Sequence, residues 1–488
     1  MLDEDILYLP IRELQAHLRK HSFSATELAR SYLDRSRRIG SKLNAYVTIT
    51  EELALEQARV ADREILAGHH RGPLHGIPYA LKDLVAVKGY RTTWGARPYA
   101  DQKFEYNATI VEKLNQAGAV LIGKAAMIEL AGGLGYSNGY ASLTGPCKNP
   151  WNTDCWTCGS SSGSGSVVAA ALAPWALGSD TRGSIICPAS WCGITGMRPS
   201  FGRVSRYGAM AIAWSMDKLG PMARTADDCG LILSVIAGHD PKDHDSLPSA
   251  EAQFRYPAPE LEPRMPLRVG RLTNVWNKID PEVQKAADEG VRVLERAGTR
   301  VSDAQVPDGP FEQAAELTIL IEAASAFQKL IDSGECAKLT DPLGQINGYA
   351  SRAFSASDYL LIQRVRTILQ REIDNLFDSF DVLTTAGQPD VAQPLVQQPS
   401  KLPQSQSEQP EAIETRAPDG VSSLCGLPAI AVPCGFCSKG LPIAIQFVGR
   451  AGNDHGVMAA ARLFQRQTDW HKKRPDMSRI AGQNTQVL

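Results

Sequence analysis

The chain reads as α/β. Three features predict this: strand-like and helix-like segments alternate from residue 76 onward, one segment of very small residues suits a helix lying close on a sheet, and strand patterning returns at the C-terminus. Tyr79 to Val87 has the β-branched and apolar density of a buried strand, Val111 to Ala117 is helix-like, and Ala119-Val-Leu-Ile-Gly123 reads as the next strand. Strand–helix–strand order of this kind places helices on both faces of a sheet.

In chain order, residues 1–70 are expected to be a helical segment packed on the body. Ile11 to Lys20 carries apolar residues at helical spacing, Ser24-Ala-Thr-Glu27 is a capping box, and a third helix is predicted from Glu51 to Leu66. Residues 71–240 form the core. Val167 to Ala173 reads as the helix of small residues, and Thr225-Ala-Asp-Asp228 starts another that runs through Leu231 to Gly238. Residues 240–265, rich in Pro and charge, look like a surface connection. Residues 241–488 are expected to be a second α/β portion of the same domain: strands at Leu267–Gly270 and Asp381–Thr385, a short strand or turn at Arg300–Ala304, helices at Pro281–Ala297, Ala314–Ile331 and Tyr359–Phe380, then strands at Ala429–Pro433 and Leu441–Val448 and a closing helix at Asn453–Gln465. Gln388 to Gly420 is dense in Pro, Gln and Ser and reads as a flexible loop or a functional cover. The last dozen residues look disordered.

Composition excludes several classes. The 488 residues are 43% hydrophobic and 21% charged with a net charge of −2, which points to a soluble globular protein and away from nucleic acid or an anionic membrane. The acidic N-terminus lacks the pattern of a signal peptide, and the longest apolar stretch, Val167 to Leu177, is too short to span a bilayer. A cytoplasmic location is expected. The ten cysteines then read mostly as small buried hydrophobes. Two CxxC pairs, Cys155/Cys158 and Cys434/Cys437, stand 279 residues apart, far outside zinc-ribbon spacing, so no metal is expected.

Three patterns offer a nucleophile. Gly159-Ser-Ser-Ser-Gly163 fits a G-x-S-x-G elbow centred on Ser161, but the turn-like residues before it do not supply the strand that an elbow needs. A serine–histidine system would use one of nine histidines, none of which has a local signature. The third is a serine activated by a neutral lysine. Its parts are Gly76-Ile-Pro-Tyr-Ala-Leu-Lys82-Asp83, the serine-rich loop at Gly159-Ser160-Ser161, and a second loop, Gly178-Ser-Asp-Thr-Arg-Gly-Ser184, with 24 residues from Ser160 to Ser184.

This three-part arrangement resembles the amidase signature family. The likeness extends to Asn107–Leu114, Ala117–Lys124, Gly145–Pro150, Cys425–Gly435 and Leu441–Gln446. It implies a single large α/β/α domain with a central mixed β-sheet flanked by helices. It also implies Ser184 as nucleophile, Ser160 as a bridging serine preceded by a cis peptide, and Lys82 as the base. The main-chain N–H groups of Thr181, Arg182, Gly183 and Ser184 would form the oxyanion hole. Preorganised donors of that kind are typically worth about 3–4 kcal/mol each. No organic cofactor is implied.

Departures from the family pattern narrow the substrate. Members that bind acidic substrates commonly carry an arginine two or three residues past the nucleophile, and Ile186 and Cys187 stand there instead. A buried substrate carboxylate would lack its bidentate partner. The expected substrate is therefore a small neutral amide, apolar or aromatic, or a carbamate, as in urethanase-type members. Tyr136, Trp156 and Ile186 are the candidate pocket residues, with Trp151 a further aromatic nearby in sequence. The expected state is a monomer or homodimer. The alternatives are the A subunit of a glutamine-dependent tRNA amidotransferase, which would need partner chains, and an inactive scaffold of the same fold.

Overall fold

The computed structural model describes residues 2–258, 261–262, 265–395 and 417–481. Its strands are β1 (Tyr46–Ile49), β2 (Pro78–Lys82), β3 (Val120–Ala125), β4 (Lys148–Asn149), β5 (Asn152–Trp156), β6 (Trp175–Asp180), β7 (Thr195–Arg198), β8 (Lys218–Ala223), β9 (Arg268–Leu272), β10 (Arg300–Ala304), β11 (Val382–Ala386), β12 (Ala429–Phe436) and β13 (Pro442–Val448). Eleven of them form one mixed sheet in the order β1-β3-β2-β6-β8-β7-β12-β13-β11-β9-β10; β4 and β5 pair separately. β2 runs parallel to β3 and β6, and β9 runs parallel to β10 and β11. The remaining pairings in the sheet are antiparallel.

Side-chain alternation along the strands divides the core in two. On β12, Ile430 and Val432 belong to one cluster of buried residues and Ala429 and Ala431 to the other. On β2, Tyr79 and Leu81 face the first cluster and Ala80 faces the second. Lys82 follows Ala80 by two residues and so shares the second face, where the helices Ser162–Ala169 and Ile186–Cys192 contribute Val167, Ala169, Ile186 and Ala189. Small residues are required on this face. A Cβ on Gly163 would fall 2.4–2.6 Å from main-chain atoms of Ala126 and Ala45.

Local signals place most elements. The helix Ala25–Arg35 begins with the complete Ser24/Glu27 capping box, and the helix Ala226–Ile236 is capped by Thr225. The helix Glu51–Leu66 has the expected bounds. Three expectations differ. The strand from Tyr79 stops at Lys82, because the Asp83 carboxylate turns inward to pair with Lys124 at 2.9 Å. The small-residue helix starts earlier, at Ser162, and ends at Ala169, since Ala171 adopts φ +50°. The turn expected before Cys158 is the strand β5. Within the expected loop at 388–420, residues 396–416 lie outside the described residues, and a helix begins at Pro418. Of the dozen C-terminal residues expected to lack order, Ser478–Ala481 are helical and 482–488 lie outside the described set. Among the described residues, no helix is long and apolar enough to cross a membrane.

Candidate active site

Lys82 ends a strand whose five residues are all buried, and its own side chain is 0% exposed. Its Nζ lies 2.8 Å from Ser160 Oγ, 3.0 Å from Ser161 Oγ and 2.8 Å from Ser179 Oγ. Burial pushes the Lys82 pKa down to about 7, against the opposing pull of the Asp180 and Asp217 carboxylates. The amine therefore exchanges its proton near neutrality while three hydroxyls hold it in place.

Ser160 is fully buried and follows a cis peptide at Gly159–Ser160. Its carbonyl accepts from Ile128 N at 3.2 Å. Ser161 Oγ donates to Ser179 O at 3.1 Å, so the serine of the G-x-S-x-G pattern is a buried tie between loop and sheet rather than an exposed nucleophile. Ser161 N–H donates to Ser184 O at 3.3 Å, which sets Ser184 beside Ser160 through the main chain. Ser184 is partly exposed, and no hydrogen bond joins its hydroxyl to any described residue. The structure thus brings Lys82 and Ser160 into direct contact and leaves the Ser184 hydroxyl free beside them.

Two buried aspartates, which sequence reasoning missed, shape the loop between β6 and Ser184. Asp180 Oδ1 accepts from Gly183 N at 2.8 Å, and Asp180 Oδ2 accepts from Ile185 N at 2.8 Å. Burial alone would raise the Asp180 pKa, but Arg198, Lys218 and these N–H groups hold it below the usual value. Asp217 Oδ1 accepts from Thr181 Oγ1 at 2.6 Å, while its other oxygen takes Ile212 N and Ala213 N. The expected set of four oxyanion donors is accordingly reduced. Gly183 N–H is committed to Asp180, and the N–H groups of Thr181, Arg182 and Ser184 have no acceptor among the described residues. Gly183 has φ +86°, and a Cβ there would lie 2.5 Å from Asp419 Oδ2. Arg182, 40% exposed, pairs with Glu312 at 3.1 Å.

The pocket candidates divide. A Cβ on Gly159 would come within 3.2 Å of Trp156 Cζ2 and 3.3 Å of Tyr136 Oη, so both rings stand against the residue before Ser160. Tyr136 packs edge-on to Trp156 at 6.0 Å, and Trp156 packs edge-on to Trp191 at 5.9 Å. Trp191 is the member of this row that the sequence reading missed. Ile186 corrects the expectation: it is 0% exposed, its side chain taken up by the second core cluster and so not available to line a pocket. Trp151 packs on Phe436 and donates to Cys192 O, away from Ser160.

The cysteines also depart from expectation. Cys158 and Cys187 form a disulfide, whereas Cys155, Cys434, Cys437 and five others are free and buried. Cys158 precedes Ser160 by two residues and Cys187 follows Ser184 by three, so both loops must approach closely for the site to form. Among the described residues, no three His, Cys, Asp or Glu side chains converge as metal ligands.

The family model described as Amidase matches residues 27–458. The chain is 37% identical to the A subunit of the glutamyl-tRNA(Gln) amidotransferase of Chromohalobacter salexigens, over 95% of this chain and 98% of that one. It is 35% identical to the protein of the same name in Geobacter sp. strain M21, covering 96% and 99%. Among solved structures, the native peptide amidase of Stenotrophomonas maltophilia superposes with a TM-score of 0.80 at 27% identity, covering 94% of this chain and 96% of that chain. A 6-aminohexanoate cyclic dimer hydrolase in complex with its substrate gives 0.83 at 24% identity, covering 96% and 99%, a likeness of fold.

Proposed function

Because the chain belongs to the amidase signature family, whose members hydrolyse C–N bonds, we propose that it cleaves neutral, apolar or aromatic amides, and carbamates with them, through an acyl-enzyme on Ser184. The single observation that carries the reading is the contact of Ser160 Oγ with the Nζ of a completely buried lysine, at 2.8 Å.

Neutral Lys82 takes the proton of Ser160 as Ser160 takes that of Ser184. Ser184 Oγ attacks the carbonyl carbon, and the tetrahedral oxyanion is met by the free N–H groups of Thr181, Arg182 and Ser184. Ser160 hands its proton to the departing nitrogen and recovers one from Lys82. Water, deprotonated by the same route, releases the acid and restores Ser184. Carbamates enter on the same terms, since they present the same carbonyl and a nitrogen leaving group.

Support for a neutral substrate comes from the wall around Ser160, built from Tyr136, Trp156 and Trp191. It comes also from Cys187, which stands where acidic-substrate members of the family carry arginine and is tied up in a disulfide. The nearby Arg182 is paired with Glu312.

A second reading, the A subunit of a glutamine-dependent amidotransferase, is favoured by the names of relatives that match over almost the whole chain, and the comparisons support it better than they support hydrolysis of neutral amides or carbamates. Both readings share the same first step. Assaying the purified chain on 4-nitroacetanilide, a phenyl carbamate and glutamine separates them. Hydrolysis of the anilide without partner chains supports the first reading; ammonia release from glutamine and from neither other substrate, and only with copurified partners, supports the second. Ser184→Ala is expected to lower kcat at least about 10³-fold on whichever substrate is used. Full activity in that variant defeats both readings.

A further inference from the structure

We infer that the Cys158–Cys187 disulfide is a positioning cross-link for the two serines, so that a dithiol reductant slows acylation of Ser184 without unfolding the protein. The inference rests on the reading of Ser160 and Ser184 given above.

The bond joins the two catalytic loops at their closest flanks, two residues before Ser160 and three after Ser184. Apart from it, the two serines' segments are joined by hydrogen bonds of Ser161: its N–H donates to Ser184 O at 3.3 Å, its Oγ donates to Ser179 O at 3.1 Å, and Ser179 N donates to that Oγ at 3.3 Å, all of them past Ser160, whereas the covalent bond ties the chain before it. On the far side the anchorage is firm: Cys187 N donates to Gly183 O at 2.8 Å at the start of the helix that carries Trp191. On the near side Ser160 O accepts from Ile128 N at 3.2 Å, and the strained point lies just before it: Cys158 has φ +65°, a left-handed conformation that costs a residue with a Cβ about 1–2 kcal/mol, and the next residue is glycine. The disulfide supplies a covalent constraint at that point.

Reduction transfers two electrons and two protons from the dithiol. The S–S bond breaks, Cys158 and Cys187 become thiols, and the reductant closes its own disulfide. Cys158 is then free to leave the left-handed region, and Gly159 offers no side chain to resist the rotation. Ser160 moves with it, away from the 2.8 Å contact with Lys82. A displacement of about 1 Å at a relay of this kind costs on the order of 100-fold in rate. Where a compartment is reducing, disulfides that persist are usually redox-sensing or catalytic ones.

The test uses the full chain and a fluorophosphonate that labels active serines, so that no natural substrate is needed. Alkylation of the denatured, unreduced protein is expected to modify the eight free cysteines, with the two remaining thiols appearing only after reduction. Dithiothreitol is expected to lower the rate of Ser184 labelling, and kcat on 4-nitroacetanilide, on the order of 100-fold. KM should change less than about twofold, thermal melting should remain cooperative, and oxidised glutathione should restore the rate. Cys187→Ala should match the reduced wild type and no longer respond to reductant. Cys158→Gly should be faster than Cys158→Ala, because without the bond glycine holds the positive φ at less cost than alanine. A purely stabilising cross-link predicts no difference between those two variants and a loss that tracks the unfolded fraction; either result overturns the inference. So does modification of all ten cysteines before reduction, or an unchanged rate in the reduced enzyme. An unchanged reduced rate alongside an inactive Ser184→Ala removes the cross-link role alone, whereas full activity in Ser184→Ala removes both readings.

Discussion

A lysine acts as a base at neutral pH only when its ammonium form has been made costly, and at Lys82 the cost is burial. With its pKa brought to about 7, the amine is half neutral at pH 7. The neutral form is the competent one, so kcat/KM is expected to rise tenfold per pH unit below 7 and to level off above about pH 8. A profile flat from pH 5 to 9 would contradict the role of Lys82. Lys218, also buried and also brought down to about 7, titrates in the same window beside Asp180 and Asp217. The assignment is therefore checked in Lys218→Met, in which the acid limb must persist. Lys82→Arg is the complementary variant. Arginine stays protonated, so activity should fall by about 10²- to 10⁴-fold even though the side chain reaches the hydroxyls. At this scale the sequence offered the lysine and the two serines as candidates, because three short patterns occur in a fixed order, and the structure puts Lys82 in contact with Ser160. It offered Ser161 only as the centre of an elbow, not as a tie to Lys82 and Ser179, and it did not disclose the contacts of Ser179, Asp180 or Asp217, which arise from neighbouring strands that no local pattern identifies. The one sequence signal for Asp180 was its place just before Thr-Arg-Gly-Ser, where a carboxylate can accept from the N–H groups that follow.

Secondary structure elements set how precisely Lys82 is held. β2 ends where Asp83 pairs with Lys124 on β3, both side chains fully buried, and Asp83 Oδ2 also accepts from Thr93 N at 2.9 Å. Asp83→Ala deletes these bonds and strands Lys124 in the core. Removing one partner of a buried pair typically costs about 3–5 kcal/mol, because the remaining charge loses its compensation. A urea titration should show the unfolding free energy fall by that amount, through a lower midpoint with little change in slope; a loss under about 1 kcal/mol would mean that the pair does not lock the strand end. The same elements show why strand reading from sequence was uneven. β2, β3, β12 and β13 are runs of apolar residues and were legible. β8, which pairs with β6 from Asp180↔Lys218 to Trp175↔Ala223, contains Gly220 and Pro221 and was not. Proline and glycine argue against a central strand by local rules, and here the tertiary pairing overrides them. β1 escaped notice because four half-buried residues at a sheet edge have no distinctive pattern.

Across the whole molecule, Lys82, Ser160 and Ser184 come from a strand, a loop and a second loop that meet only because β2 and β6 are neighbours, and strand order of this kind is not contained in periodicity. The N-terminal helices, which carry none of the chemistry, contribute to that meeting. Arg35, 2% exposed, donates through Nε to Ala170 O at 2.8 Å, and Ser36 and Tyr46 donate to Leu172 O at 3.1 and 3.2 Å. Ala170 and Leu172 form the turn between the helix that follows Ser160 and the strand that leads to Ser184. Arg35 also pairs with Glu4 at 2.6 Å and reaches Tyr8 Oη at 3.0 Å, so it joins the start of the chain to this turn. Methionine at position 35 keeps the apolar stem but leaves the Ala170 carbonyl buried without a donor, at a cost of about 2–4 kcal/mol for a charge-assisted bond and its orphaned partner. Arg35→Met is expected to lower the urea midpoint accordingly, while fluorophosphonate labels the folded fraction at the wild-type rate. If instead labelling slows with no loss of stability, the N-terminal segment tunes the site directly rather than holding the turn on which it is built.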